Sequence, residues 1–282
     1  MDSARDAFGD GQPAGEIPRL SVRSLSKSYG TGDGAVTIIE NLTFDVARGE
    51  IVCVVGPSGV GKTTLLKCLS GLQSVTSGEA LIDGRRIDGP PREMALVFQE
   101  YNRSLMPWLT VRKNVRLPLR HLGLEKIDED FRIEQALTAV GLDQAVNKYA
   151  WQLSGGMQQR VAIARALAYQ PEVLVMDEPF ASVDAQTRFE LEDLTLRIRE
   201  QFNMTIVVVT HDIDEAVYLS NRVVVLGHRP AAVTKILDID IPSPRNQITT
   251  RARADFAELR TEILSLIQAG KAATTSIPTQ PS

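Results

Sequence analysis

Residues 51–69 leave this chain few ways to fold. Ile51–Val55 is an unbroken apolar, mostly β-branched stretch, which predicts a strand buried on both faces. Gly56-Pro57-Ser58-Gly59-Val60-Gly61-Lys62-Thr63 follows at once and fits G-x-x-x-x-G-K-[ST]. Residues 64–69 then place Leu65, Leu66 and Leu69 on one face of a predicted helix. Strand, glycine loop and helix in that order make an anion cradle. Gly59 and Gly61 admit backbone angles that bulkier residues resist, so successive N–H groups can point at phosphate oxygens. The helix N-terminus adds free donors and partial positive charge. Lys62 supplies a mobile cation for the β and γ phosphates, and the Thr63 hydroxyl can ligate Mg²⁺. The expected nucleotide contacts run from Gly56 through Pro57, Ser58, Gly59, Val60, Gly61, Lys62 and Thr63 to Thr64. The stretch predicts binding of a nucleoside triphosphate.

Bulk properties narrow the setting. The chain has 282 residues, enough for one large domain or two modest ones, with 43% hydrophobic and 23% charged residues. A net charge of −4 implies no basic surface for nucleic acid. Apolar runs such as residues 51–55, 206–209 and 223–226 fall far short of the roughly 20 residues a membrane helix needs. Residues 1–15 do not resemble a signal peptide. Cys53 and Cys68 have no metal spacing and read as small buried hydrophobes. A soluble, cytosolic protein is expected.

Order along the chain suggests an α/β core with an insertion. Residues 1–18 read as a disordered tail. Residues 20–25 alternate as a half-exposed strand does, and residues 37–39 and 42–46 resume the pattern after a glycine-rich break, predicting an antiparallel β subdomain. Residues 80–82 and 94–98 predict two further strands. Between about residues 101 and 155 strand signals stop, and helices are predicted over 111–122 and 133–140, with Gly141 as a C-cap. Strands at 173–176, 204–209 and 222–226 then alternate with helices at 155–169, 186–201 and 214–219. That alternation predicts a mainly parallel sheet covered on both faces. Residues 241–282 form an extension with one helix, about 253–267, and a loose tail.

A phosphate loop alone leaves kinases, GTPases, helicases and transporters open. Residues 173–179 read Val-Leu-Val-Met-Asp-Glu-Pro, an apolar strand ending in adjacent carboxylates. Side chains alternate along a strand, so Asp177 is expected to face the Mg²⁺ shell and Glu178 an attacking water. Residues 153–160 read Leu-Ser-Gly-Gly-Met-Gln-Gln-Arg. Ser154, Gly155 and Gly156 open a second helix with its own anion-facing N-terminus. One active site scarcely needs two such cradles.

With these motifs the sequence resembles the ATP-binding-cassette (ABC) ATPase subunits over about residues 20–226. That resemblance implies a P-loop NTPase core with an antiparallel β subdomain and an inserted helical subdomain, an ATPase domain spanning 19–240, and ATP and Mg²⁺ as cofactors. It implies a homodimer in which Ser154, Gly155 and Gly156 close on the partner's ATP. It makes Gln99 a contact to Mg²⁺ and water, Asp184 the D-loop aspartate, His211 the switch histidine and Tyr29 an aromatic that stacks on adenine. Glu178, His211, Lys62 and Gln99 form the implied catalytic set, and Thr63, Gln99 and Asp177 the metal set. Residues 181–184 read Ala-Ser-Val-Asp where relatives usually carry Ser-Ala-Leu-Asp. His121 and His228 have no such placement and read as surface residues.

Residues 105–111, Leu-Met-Pro-Trp-Leu-Thr-Val, and Asn114-Val115 resemble the nitrate/sulfonate/taurine importer branch. Its members work with integral membrane permease subunits at the cytoplasmic face of the cell membrane, and a substrate-binding protein outside selects the cargo. The alternatives are an exporter or lipoprotein-release cassette, a soluble ABC ATPase of translation or DNA repair, and a small-molecule P-loop kinase.

Overall fold

The computed structural model describes residues 17–100, 104–227 and 229–275. Residues 1–16, 101–103, His228 and residues 276–282 lie outside the described residues. The strands are β1 (Leu20–Tyr29), β2 (Val36–Val46), β3 (Ile51–Val55), β4 (Ser77–Ile82), β5 (Arg85–Arg86), β6 (Met94–Val97), β7 (Val173–Asp177), β8 (Thr205–Thr210), β9 (Arg222–Leu226) and β10 (Val233–Asp238). The α-helices are α1 (Lys62–Leu69), α2 (Val111–Arg116), α3 (Lys126–Ala139), α4 (Gly155–Ala168), α5 (Ala185–Phe202), α6 (Ile213–Leu219) and α7 (Ala254–Thr275).

One sheet runs β10-β9-β3-β8-β7-β6, with every neighbouring pair parallel except β9 and β10. The other is antiparallel, in the order β2-β1-β4-β5. Strand β3 sits inside the first sheet and is buried along its whole length. Ile51, Cys53 and Val55 join one apolar cluster with α4, α5 and α6, while Val52 and Val54 join another with α1, β1 and β2. The two-faced burial predicted for this run is what the structure has, each such side chain contributing roughly 1.5–3 kcal/mol. Cys53 and Cys68 are free thiols within these clusters.

The helix expected at about 253–267, with a loose tail after it, runs on to Thr275. Four further local predictions shift, each for a physical reason. The pieces 37–39 and 42–46 are a single strand, because Asn41 takes the left-handed region (φ 50°) and carries β2 through a bulge. The helix expected over 111–122 stops at Arg116, and Pro118 starts a 3₁₀ turn over Leu117–His121. The helix expected at 133–140 begins earlier, at Lys126. Its first turns carry the exposed Ile127 and Phe131, which blur the apolar period. Strand β10 escaped the reading because a register shift between Val233 and Lys235 breaks its alternation. Asp83 and Gly84 both take positive φ, 48° and 72°, and make the tight turn from β4 to β5.

Helices α2 and α3 pack on α4, and α4 packs on β6. The inserted helical layer is thereby joined to the sheet edge next to Gln99. Gly141 follows α3 with φ 70°, the C-terminal position for which glycine is suited.

Candidate active site

Ligands of open α/β sheets bind beyond the carboxyl ends of the parallel strands. The sequence-predicted residues collect there: the phosphate loop follows β3, Gln99 lies just past β6, Glu178 follows β7 and His211 follows β8. Helix α1 starts at Lys62, capped by Gly61 at φ 122°, and Gly59 has φ 72°. Each loop glycine meets a close neighbour. A Cβ on Gly56 would stand 2.9 Å from the Leu226 carbonyl oxygen, and one on Gly61 would stand 2.9 Å from the Ile38 side chain. Val60 is buried within the apolar cluster behind the loop, whereas Ser58 and Thr63 are exposed.

Lys62 is buried, and its Nζ donates to the carbonyl oxygens of Gly56 at 2.9 Å and Pro57 at 3.2 Å. Burial pulls its pKa down; the charges of Glu178 and Asp177 oppose that shift. A nearby polyanion would favour the charged form further. Asp177 is also buried, and burial raises its pKa against a hydrogen bond from Thr63 and the charge of Lys62. Its Oδ1 has no hydrogen-bond partner. An orphaned buried carboxylate oxygen beside a hydroxyl and a lysine suits a hard divalent cation, so the donors present fit Mg²⁺.

Asp177 and Glu178 do point apart, but not through strand alternation. Strand β7 ends at Asp177, and Glu178 sits in the left-handed region at φ 41°, its N–H held by the Val209 carbonyl at 2.7 Å. A non-glycine residue there is held against a local cost of about 1–3 kcal/mol. The turn aims the carboxylate sideways, where Gln99 Nε2 donates to Glu178 Oε2 at 3.1 Å and His211 Nδ1 stands 3.1 Å from the same oxygen. Two residues from two other strand ends thus converge on one oxygen of Glu178. A carboxylate only accepts, so a hydrogen bond from His211 requires Nδ1–H. A neutral ring then leaves Nε2 bare, and a bond from Nε2 to a phosphate oxygen requires the imidazolium.

Ser154 and Asp184 serve as helix N-caps. Ser154 accepts from Met157 N at 3.4 Å and opens α4; Asp184 accepts from Thr187 N at 3.0 Å and from its hydroxyl at 2.6 Å and opens α5. Those bonds pull the Asp184 pKa down. Gly155 is exposed; Gly156 is buried against α5, where a Cβ would lie 2.2 Å from Thr187 Cγ2. Tyr29 is 41% exposed, with its hydroxyl on Gln73 Oε1 at 2.7 Å and Lys27 Nζ 5.2 Å from the ring centroid. It stands at the sheet margin and is no core residue. His121 is exposed.

Some contacts around the site had no signal in the sequence. Arg188 donates to Asp212 Oδ2 at 2.8 Å, and Asp212 caps α6 immediately after His211. The pair spans 24 positions, and nothing in its local sequence marks it.

A triphosphate cradle, carboxylates at parallel strand ends and a helical layer opened by a second glycine-rich N-terminus define a P-loop ATPase cassette. A family model described as ABC transporter matches residues 39–181, and the chain belongs to that family. It is 42% identical over 254 residues to the nitrate transport protein NasD of Klebsiella oxytoca, spanning 89% of this chain and 96% of that one. It is 41% identical over 258 residues to the aliphatic sulfonates import ATP-binding protein SsuB of Bacillus thuringiensis subsp. konkukian, spanning 92% and 99%. Among solved structures, the dimeric post-hydrolysis ATP-binding cassette MJ0796 bound to ADP and Pi superposes with a TM-score of 0.68. That match has 32% identity and covers 78% of this chain and 98% of that one. The chain is an ABC ATPase of the importer branch.

Proposed function

We propose that this cassette energises uptake of a small anion, of the nitrate, sulfonate or taurine kind, through a separate permease. The observation that carries the catalytic part is the convergence of Gln99 and His211 on one oxygen of Glu178. With Oε2 held, the carboxylate is oriented to accept a hydrogen bond from a water at the γ-phosphate. Lys62 Nζ, which rests on the carbonyls of Gly56 and Pro57, is placed to turn to the phosphates, and Thr63 and Asp177 would hold Mg²⁺. When bound, Mg²⁺ would supply positive charge to neutralise the phosphates. Tyr29 offers its exposed ring to the base.

Two copies of the chain are proposed to meet head to tail, Ser154, Gly155 and Gly156 of each facing the other's triphosphate, with Asp184 near the seam. The dimeric MJ0796 cassette supports that reading. No helix among the described residues is long and apolar enough to cross a membrane, so the pore is assigned to another polypeptide. A groove of about 220 Å³ beside β6, lined by Leu72, Pro90, Pro91, Met94, Leu96 and Phe98, suits a short apolar helix of that permease. Phe98, 45% exposed, lines this groove, and Trp108 is 69% exposed. Docking there puts the cassette at the cytoplasmic face of the membrane, and a substrate-binding protein outside it chooses the cargo.

The test is Glu178→Gln, which keeps the shape and loses the carboxylate. ATP binding is expected to persist while turnover falls by about 10²–10⁴-fold. Hydrolysis within a few-fold of the wild-type rate would remove Glu178 from the chemistry. Copurification with an integral membrane permease, lost in Phe98→Glu, checks the docking.

A further inference from the structure

Strands β3 and β9 are parallel neighbours, with Val55 opposite Val225, so the chain leaving β9 emerges beside the phosphate loop. That segment is firmly based. Gly227 N donates to Ala232 O at 3.0 Å, Ala231 N to Ile38 O at 2.7 Å, and Glu40 N to Ala231 O at 2.9 Å. From this base Arg229 reaches across, and its Nε donates to the Gly59 carbonyl oxygen at 2.7 Å. Its Nη2 lies 2.5 Å from where a Cβ on Gly59 would stand. Gly59, at φ 72°, is the loop residue on which the guanidinium rests.

We propose that Arg229 is a positioning residue of the ATP site, gripping the Gly59 carbonyl and so holding the phosphate loop in the shape that admits a triphosphate. The two ends of a trans peptide unit point in opposite directions. Fixing the Gly59 C=O toward Arg229 therefore aims the Val60 N–H the other way. Val60 N does point inward, to Pro57 O at 3.3 Å, the same oxygen that Lys62 Nζ approaches at 3.2 Å. The guanidinium thus holds one side of the loop, while the Val60 N–H and Lys62 Nζ meet the Pro57 oxygen on the other. A guanidinium makes a charge-assisted bond to the carbonyl, roughly twice as strong as a neutral one. Without it a left-handed glycine has several conformations to choose from, and binding must select among them.

The inference rests on the ATP site described above, so the experiment includes the wild type and Lys62→Ala. Nucleotide titration of the full chain with ATP and with ADP gives Kd, and steady-state hydrolysis gives kcat. Arg229→Ala is expected to raise Kd for both nucleotides about tenfold. Its kcat at saturating ATP should stay close to wild type, since the groups around Glu178 are untouched. Arg229→Lys should recover part of the affinity, because an ammonium can reach one carbonyl but lacks the planar fork. An unchanged Kd in Arg229→Ala overturns the proposal, as does a loss confined to kcat. Should Arg229→Ala fail to fold, Arg229→Gln keeps a neutral donor and is expected to fall between wild type and loss; wild-type affinity there also overturns it. A wild-type chain that binds no nucleotide, like Lys62→Ala, would instead sink the ATP site itself.

Discussion

A hydrogen atom in place of a methyl group decides whether α4 and α5 can meet. Gly156 lies one residue inside α4, and a Cβ there would fall 2.2 Å from Thr187 Cγ2 in the first turn of α5. Thr187 is in turn tied to Asp184 through both its N–H and its hydroxyl. The glycine pair is thus read two ways: Gly155 faces outward, and Gly156 permits a close helix contact. Gly156→Ala is expected to cost about 1–3 kcal/mol through overpacking, read as a lower melting temperature. Thr187→Ser removes the methyl and keeps the hydroxyl bond to Asp184. The double variant should recover most of the loss. Additive losses would place the strain elsewhere.

The elements behind the site are packed around buried carboxyl groups. Glu215, in the first turn of α6, and Glu192, on α5, are both buried, and each has an unpartnered Oε1. The extension after β10 supplies partners for the other oxygen of Glu192 alone: Arg251 Nη2 meets Glu192 Oε2 at 2.7 Å, and Gln247 Nε2 donates to the same oxygen at 3.0 Å. Arg251 also stacks on Phe189, Tyr218 and Phe256, at 4.9, 5.0 and 5.9 Å from the ring centroids. Arg245 Nη1 donates to the Tyr218 carbonyl at the end of α6, at 2.7 Å. Burial pushes the Glu215 carboxyl well above the ordinary carboxylate range, reinforced by Glu192 and Asp212 and opposed by Thr210 and Arg188. The folded form therefore holds a proton that the unfolded chain releases near its ordinary value of 4.5. Stability from this group is greatest below that pH and falls as pH rises through the folded-state pKa. Glu215→Gln removes the dependence. Its melting temperature is expected to exceed wild type at pH 8 by more than at pH 5. An offset that is constant with pH would show that Glu215 does not titrate within the fold.

Across the whole molecule the two anion-facing helix starts are not joined. No hydrogen bond recorded among the described residues links residues 153–160 to the phosphate loop. Each region instead completes its own local structure, Ser154 as a cap and Lys62 on its loop. Under the head-to-tail proposal, Ser154→Arg and Lys62→Ala each disable both sites of a homodimer. A mixed dimer of the two has one intact site, made of Lys62 from one copy and Ser154 from the other. ATPase activity is expected to reappear on mixing the two inactive variants. Activity that stays at the level of the separate variants would argue for hydrolysis within one copy.

Which parts were legible follows the range of the interactions. The phosphate loop, the buried strands and the paired carboxylates could be read because their chemistry lies within consecutive residues: a period of two, a glycine spacing, an acid after an apolar run. The roles of Gln99 and His211 rested on resemblance, since the residues that face them stand 79 and 33 positions away in the chain. Strand β10, the break at Arg116 and the early start of α3 depended on a register shift, a proline and exposed apolar residues that local pattern misstates. Short-range sterics and burial dictate that a triphosphate cradle opens a helix and that an α/β sheet surrounds it, so both follow from the order of residues. It took the folded chain to turn Glu178 aside through a left-handed residue to meet Gln99 and His211, and to close Arg229 on Gly59. Those contacts exist because parallel strands far apart in sequence end side by side.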